Sequence, residues 1–203
     1  LDGYLTSAMR HGHVLILNEI DLVEPSELAN LNGVLEGAPL VISQKEGEVV
    51  HPHPNFRLVA TSNSNGGGSY GLYVGVQRQN LAFMDRFSVI DVDYPEPSVE
   101  EEILASMTPD IPKEIRVKMV ELANKVRTVF KGGDDSGLEL SVTFSTRTLI
   151  RWAIQTQRMQ GTDCPLSYAL NRALLNRCSE AEEKEAINSW AIALFGAGFK
   201  TEG

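Results

Sequence analysis

The chain has 203 residues, 42% of them hydrophobic, and a formal net charge of −9 at pH 7. That length holds one large domain or two small ones, and its apolar runs fall far short of the about 18 residues a membrane-spanning helix needs. The acidic balance opposes a broad nucleic-acid-binding face, though not a local basic pocket.

Residues 2–11, DGYLTSAMRH, predict a short helix: Leu5, Ala8 and Met9 recur at helical spacing and Gly12 is a natural stop. The run Val14–Leu17 is continuous rather than alternating, as for a strand buried on both faces of a parallel sheet. EPSELANLNGVLEG predicts a helix with Ser26 as N-cap and Gly37 as its stop, burying Leu28, Leu31, Val34 and Leu35. PLVIS and GEVV, turning at Gly47, predict a hairpin. FRLVATS reads as a second buried strand ending at Asn63, and NSNGGGSYGLYVG as a Gly-rich loop. QRQNLAFMDRF predicts a short helix, and SVIDVDYP a third core strand.

Beyond Pro95 and Pro97 the pattern is almost wholly helical. Ser98 with Glu101 makes a capping-box pattern. A longer helix spans about 112–130, KGGDDSG is a loop, and residues 145–160, 166–177 and 180–195 give three more amphipathic helices. The fold class is therefore α/β over residues 1–96 followed by an all-helical portion over 97–203. Cys164 and Cys178 lack metal-type spacing, which fits a reduced cytoplasmic protein with two structural thiols. The first residue is Leu1, not Met, so a processed chain or a piece of a longer one is expected.

Polar groups at the strand ends are the candidates for chemistry. Asn18 and Glu19 follow the first apolar run, where open α/β sheets place ligands. A carboxylate there can polarise a water; the plainer alternative is that both residues cap the sheet edge. Asn63 ends the second strand and can donate and accept at once, so it could position a water, or simply begin a turn. Arg86 in MDRF suits phosphate oxygens, or pairs with a surface carboxylate such as Asp85. Arg147 sits in the first turn of a helix capped by Ser145, against the dipole preference, which hints at an anionic partner. His11, His13, His51 and His53 form two H-x-H pairs with no third ligand at metal spacing, and Pro52 and Pro54 make the second pair an exposed turn. GGGSYGLYVG has no following Lys-Ser/Thr and is not a phosphate-cradling loop.

In order, LILNE, VATSN, MDRF and the helical tail resemble the AAA+ ATPases, especially the MoxR-like branch and the ATPase subunit of aerobic cobaltochelatase. SYGLYVGVQRQNLAFMDRFSVI is similar to the segment through that subunit's arginine finger, and FSTRTLIRWA to its sensor 2 helix. The resemblance implies the C-terminal half of a P-loop AAA+ parallel-sheet core followed by a helical lid. It makes LILNE Walker B, with Glu19 as the base activating the attacking water and Asn18 supporting Mg2+ through its water shell. Asn63 becomes sensor 1, Arg86 the finger reaching the neighbouring subunit's γ-phosphate, and Arg147 sensor 2. It further implies ATP and Mg2+, a homo-oligomeric, hexameric ring, and a remodelled partner such as a chelatase subunit or a von Willebrand factor A-type protein; the short apolar runs, not the resemblance, argue for no membrane span, and the acidic balance speaks against nucleic acid. Two features depart from the family. Asn18 stands where an aspartate is usual, and no G-x-x-x-x-G-K-[ST] occurs. The latter is expected upstream of Leu1, leaving these residues alone inactive. The departures keep a second reading open, a non-hydrolysing AAA+-like scaffold.

Overall fold

A computed structural model describes residues 1–63, 79–133, 137–196 and 199. The expected Gly-rich loop, 63–75, lies outside the described residues from residue 64 onward, as do residues 134–136 of KGGDDSG. The chain divides into two compact units, Leu1–Asp91 and Val92–Gly203.

In the first unit, α1 (Tyr4–His11) ends at Gly12, whose φ of 72° is the left-handed cap that glycine adopts without strain. A Cβ at Gly12 would strike the His53 imidazole, so close backbone approach also requires glycine here. Strand β1 (Val14–Leu17) leads to α2 (Pro25–Leu28), a 3-10 turn (Ala29–Leu31) and α3 (Asn32–Leu35). Strands β2 (Leu40–Ile42) and β3 (Glu48–Val50) form the expected antiparallel hairpin, with Leu40 opposite Val50. Strand β4 (Arg57–Ala60) pairs parallel to β1, with Val14 opposite Arg57 and Leu17 opposite Ala60. Helix α4 (Leu81–Met84) is capped by the Asn80 side chain, which accepts from the Ala82 N–H at 2.9 Å. One small core gathers Met9, Val34 and Val50, a second Ile20, Leu28 and Phe83.

Three expectations for this unit need correction. β1 and β4 are strands, but not buried on both faces: Ile16 is 60% and Val59 48% exposed, on the same face, while Leu17 and Ala60 pack inward. Side chains alternate across a pleat, and only one face of this two-stranded sheet is covered. Residues 88–96 form no strand; Ile90 is 82% exposed, because a strand needs a paired neighbour and these residues have none among the described residues. The helix expected over EPSELANLNGVLEG is broken into short pieces, and Ser26 is not its cap. Pro25 occupies the first turn of α2 and Glu24 precedes it, as suits a residue with fixed φ and no N–H.

The second unit comprises α5 (Pro97–Met107), α6 (Lys113–Phe130), α7 (Thr146–Arg158), α8 (Pro165–Ala173) and α9 (Ala181–Phe195). Glu96 rather than Ser98 sits at the N-cap position of α5, again because Pro97 opens the helix. A single large core centres on Trp152, with Phe144, Leu122, Leu149, Leu170 and Ile187 fully buried around it. The Trp152 indole N–H donates to the Leu166 carbonyl at 2.9 Å, so its one polar atom is satisfied. Cys164 and Cys178 form no disulfide. Burial, reinforced by Glu183, pushes the Cys178 thiol from 9.0 up to about 11. Among the described residues, no helix is long and apolar enough to cross a membrane.

Candidate functional site

The C-terminal ends of β1 and β4 lie side by side because the strands are parallel and in register to their last residues. Asn18 and Glu19 leave one end, and Thr61 to Asn63 leave the other; all five residues are exposed. Thr61 stitches the two ends together. Its N–H donates to the Leu17 carbonyl at 2.9 Å, and its carbonyl accepts from the Ile20 N–H at 3.0 Å. Its hydroxyl oxygen accepts from the Glu19 N–H at 3.1 Å and donates to Asn18 Oδ1 at 3.3 Å. Glu19 is consequently held in the left-handed region, at φ 57° and ψ 49°. A non-glycine residue there is uncommon and marks a constrained position.

A second brace lies beneath the first. Asp21 is fully buried, and its Oδ2 accepts the Asn63 N–H at 2.9 Å. The buried Gln79 amide donates to the Ile20 and Val23 carbonyls at 3.2 and 3.0 Å, fixing the turn that follows Glu19. The structure thus brings together three of the sequence-predicted residues, Asn18, Glu19 and Asn63. Thr61, Asp21 and Gln79, which hold them, were not singled out from sequence. Thr61 and Asp21 stand in VATSN and NEID themselves, so the same strand-end pattern contains them. A cleft of about 360 Å3 opens beside Asn18, lined by Ile16, Leu17, Ile20 and Leu28.

Of the two candidate arginines, Arg86 belongs to the first unit and Arg147 to the second. Arg86 follows α4; its guanidinium donates to the Ala82 carbonyl and pairs with Glu36, just after α3. That is the surface-carboxylate alternative, with Glu36 in place of Asp85. Glu36 is well exposed, and such a pair is worth about 0–1 kcal/mol. Arg147 is exposed on the first turn of α7, in the helical unit. Ser145 caps this helix by accepting the Thr148 N–H at 3.1 Å, and Arg151 lies one turn further on the same face as Arg147.

The strand-end donors fit a hard cation held through water. Asn18 offers an amide oxygen and Glu19 a carboxylate, both solvent-facing. Among the described residues, no group of three or more His, Cys, Asp or Glu side chains could hold a metal outright. Mg2+ fits such a site, because it keeps several waters and relies on one or two side chains plus substrate phosphates.

Residues 1–87 match the family model described as AAA domain (dynein-related subfamily), and residues 100–193 the one described as CbbQ/NirQ/NorQ C-terminal. The chain belongs to the AAA+ ATPases, in their MoxR-like branch. It is similar to the aerobic cobaltochelatase subunit CobS of Sinorhizobium sp, with 35% identity over 187 residues, covering 89% of this chain and 54% of that protein. It is also similar to an uncharacterized protein of Staphylococcus haemolyticus, 28% identical over 93% of this chain and 66% of that protein. A further uncharacterized protein, from Staphylococcus aureus, is 29% identical over 92% of this chain and 65% of its own length. The chain therefore spans between about half and two thirds of the relatives it matches.

Proposed function

We propose that the protein is an ATP hydrolase acting in a homo-oligomeric, hexameric ring, with hydrolysis coupled to remodelling a partner protein. The observation that carries this reading is the cross-braced strand-end cluster of Asn18, Glu19 and Asn63. In this reading residues 1–96 are the catalytic core portion and 97–203 the lid. Glu19, exposed and rigidly based, accepts the proton of the attacking water, and Asn63 orients that water from the neighbouring strand end. Mg2+, held by Asn18 through water, would neutralise charge on the β- and γ-phosphate oxygens. Arg86 exchanges Glu36 for the γ-phosphate bound by the adjacent subunit, and Arg147 contacts phosphate from the lid. Phosphoryl transfer needs such positioning and charge neutralisation more than covalent help.

The partner is read from the relatives. One of them is a cobaltochelatase subunit, which supports a metal-chelatase subunit as the remodelled partner in the cytoplasm, with a von Willebrand factor A-type protein as the alternative.

The test uses protein expressed from the complete reading frame. Glu19→Gln should lower kcat by at least about a hundredfold while ATP–Mg2+ still binds. Arg86→Ala should do the same, and mixing the two variants should restore part of the turnover, since each supplies what the other lacks. Unchanged turnover in Glu19→Gln would sink the mechanism. Asn18, neutral where the family carries a charge, supports one second reading, a scaffold that binds ATP without hydrolysing it. Calorimetric binding with no phosphate release from the unaltered protein would favour that reading.

A further inference from the structure

The helical unit buries a charge pair that the mechanism above does not use. Glu100 on α5 is fully buried and Arg127 on α6 nearly so. Arg127 donates to both carboxylate oxygens, Nη1 to Oε2 at 2.7 Å and Nη2 to Oε1 at 2.8 Å. It also donates to Asn124 Oδ1 at 2.8 Å and, through Nε, to the Phe144 carbonyl at 2.6 Å. The Tyr94 ring covers the guanidinium at 4.0 Å. Glu100 has one more partner: its Oε1 accepts the Thr146 hydroxyl at 2.7 Å. Thr146 is the first helical residue of α7, and the next residue is Arg147.

Stability alone does not account for this arrangement. Apolar side chains of similar volume generally serve a core as well as a buried ion pair does. Nor does the end of α7 need Glu100 as a cap, because Ser145 already accepts the Thr148 N–H. What the Thr146–Glu100 bond adds is a fixed rotation of the first turn. Arg127 pins Phe144 on one side of that turn and Glu100 pins Thr146 within it. From the other side Arg177 donates to the Thr148 hydroxyl at 3.2 Å. The carboxylate also stands near a helix N-terminus, where negative charge offsets the unfavourable placement of Arg147.

We propose that Glu100, held by Arg127 and acting through Thr146, is a positioning residue that aims Arg147 at nucleotide phosphate. The inference rests on the reading of Arg147 as a phosphate contact. Replacing Thr146 by Val removes the hydroxyl and keeps the shape, so it cuts the link without opening the core.

The experiment measures ATP–Mg2+ affinity by calorimetry in the protein from its complete reading frame, with Glu19→Gln present to stop turnover. Thr146→Val should weaken affinity about three- to tenfold when Arg147 is present, a coupling of the size groups in contact show. It should change affinity less than about twofold when Arg147 is already Ala. Thr146→Ser should restore the original value. Equal weakening in both backgrounds, or none in either, overturns the proposal. If Arg147→Ala alone leaves affinity unchanged, or no ATP binds at all, the reading of Arg147 fails and the positioning role falls with it.

Discussion

Glu19 sits in a backbone conformation that its side chain does not favour. Its φ of 57° places an unbranched acidic side chain where glycine or asparagine is at home. The left-handed conformation costs about 1–2 kcal/mol for an ordinary L-residue. Three hydrogen bonds from the Thr61 backbone and hydroxyl hold it there. If the carboxylate has no structural task, Glu19→Asn should keep the chain's stability in urea, or raise it by up to about 1 kcal/mol. A loss greater than that would mean the carboxylate stabilises the fold and would weaken its assignment as a base. The candidate residues were legible because an acid and an amide at the ends of two apolar runs are visible in one dimension. Thr61 and Asp21 were not, because their bonds close across some forty residues and only the parallel register brings the partners together.

At the scale of elements, periodicity located the pieces and neighbours decided their burial. The α6 pattern gave bounds within a residue of Lys113–Phe130, since its apolar face repeats over five turns against one core. VLIL is equally apolar, yet half of it is bare, because the residues alone do not say how many layers cover a sheet. SVIDVDYP carries strand composition and no strand. Pro25 and Pro97 each shifted a helix start away from the serine that looked like its cap. The charge pair joining α5 and α6 was unreadable for another reason: Glu100 and Arg127 sit among many surface-type charges in the same helices. It yields a clean test. Arg127→Met should cost about 3–5 kcal/mol in denaturant unfolding, since Glu100 is left buried and uncompensated. Adding Glu100→Leu should recover most of that loss, because two apolar side chains replace two charges. A double variant as unstable as the single one would mean that the wider network, through Thr146 and Phe144, supplies the stability.

The whole molecule is two compact units that differ in how much apolar core each holds. Among the described residues, Leu1–Asp91 packs two small apolar clusters, whereas Val92–Gly203 packs α5 to α9 around one core containing Trp152. The helical unit was legible from sequence as a change of composition near Pro95, but its first residues lie earlier. Asp93 holds Lys131 at 2.7 Å and Tyr94 stacks on Arg127, so the chain is already tied to α6 before the first proline. Immediately upstream, Val89, Ile90 and Val92 are exposed and outside any helix or strand. A protease that cuts before exposed aliphatic residues meets three of them there, unprotected by backbone pairing. Brief thermolysin digestion should therefore leave a resistant C-terminal product beginning between Val89 and Val92, while the smaller clusters of the first unit give way. Mass spectrometry of the surviving fragment reads the result directly. A product starting inside α5 would show that the Tyr94–Arg127 contact does not hold the entry segment down. The absence of any resistant product would show that the Trp152 core does not persist once the chain is cut.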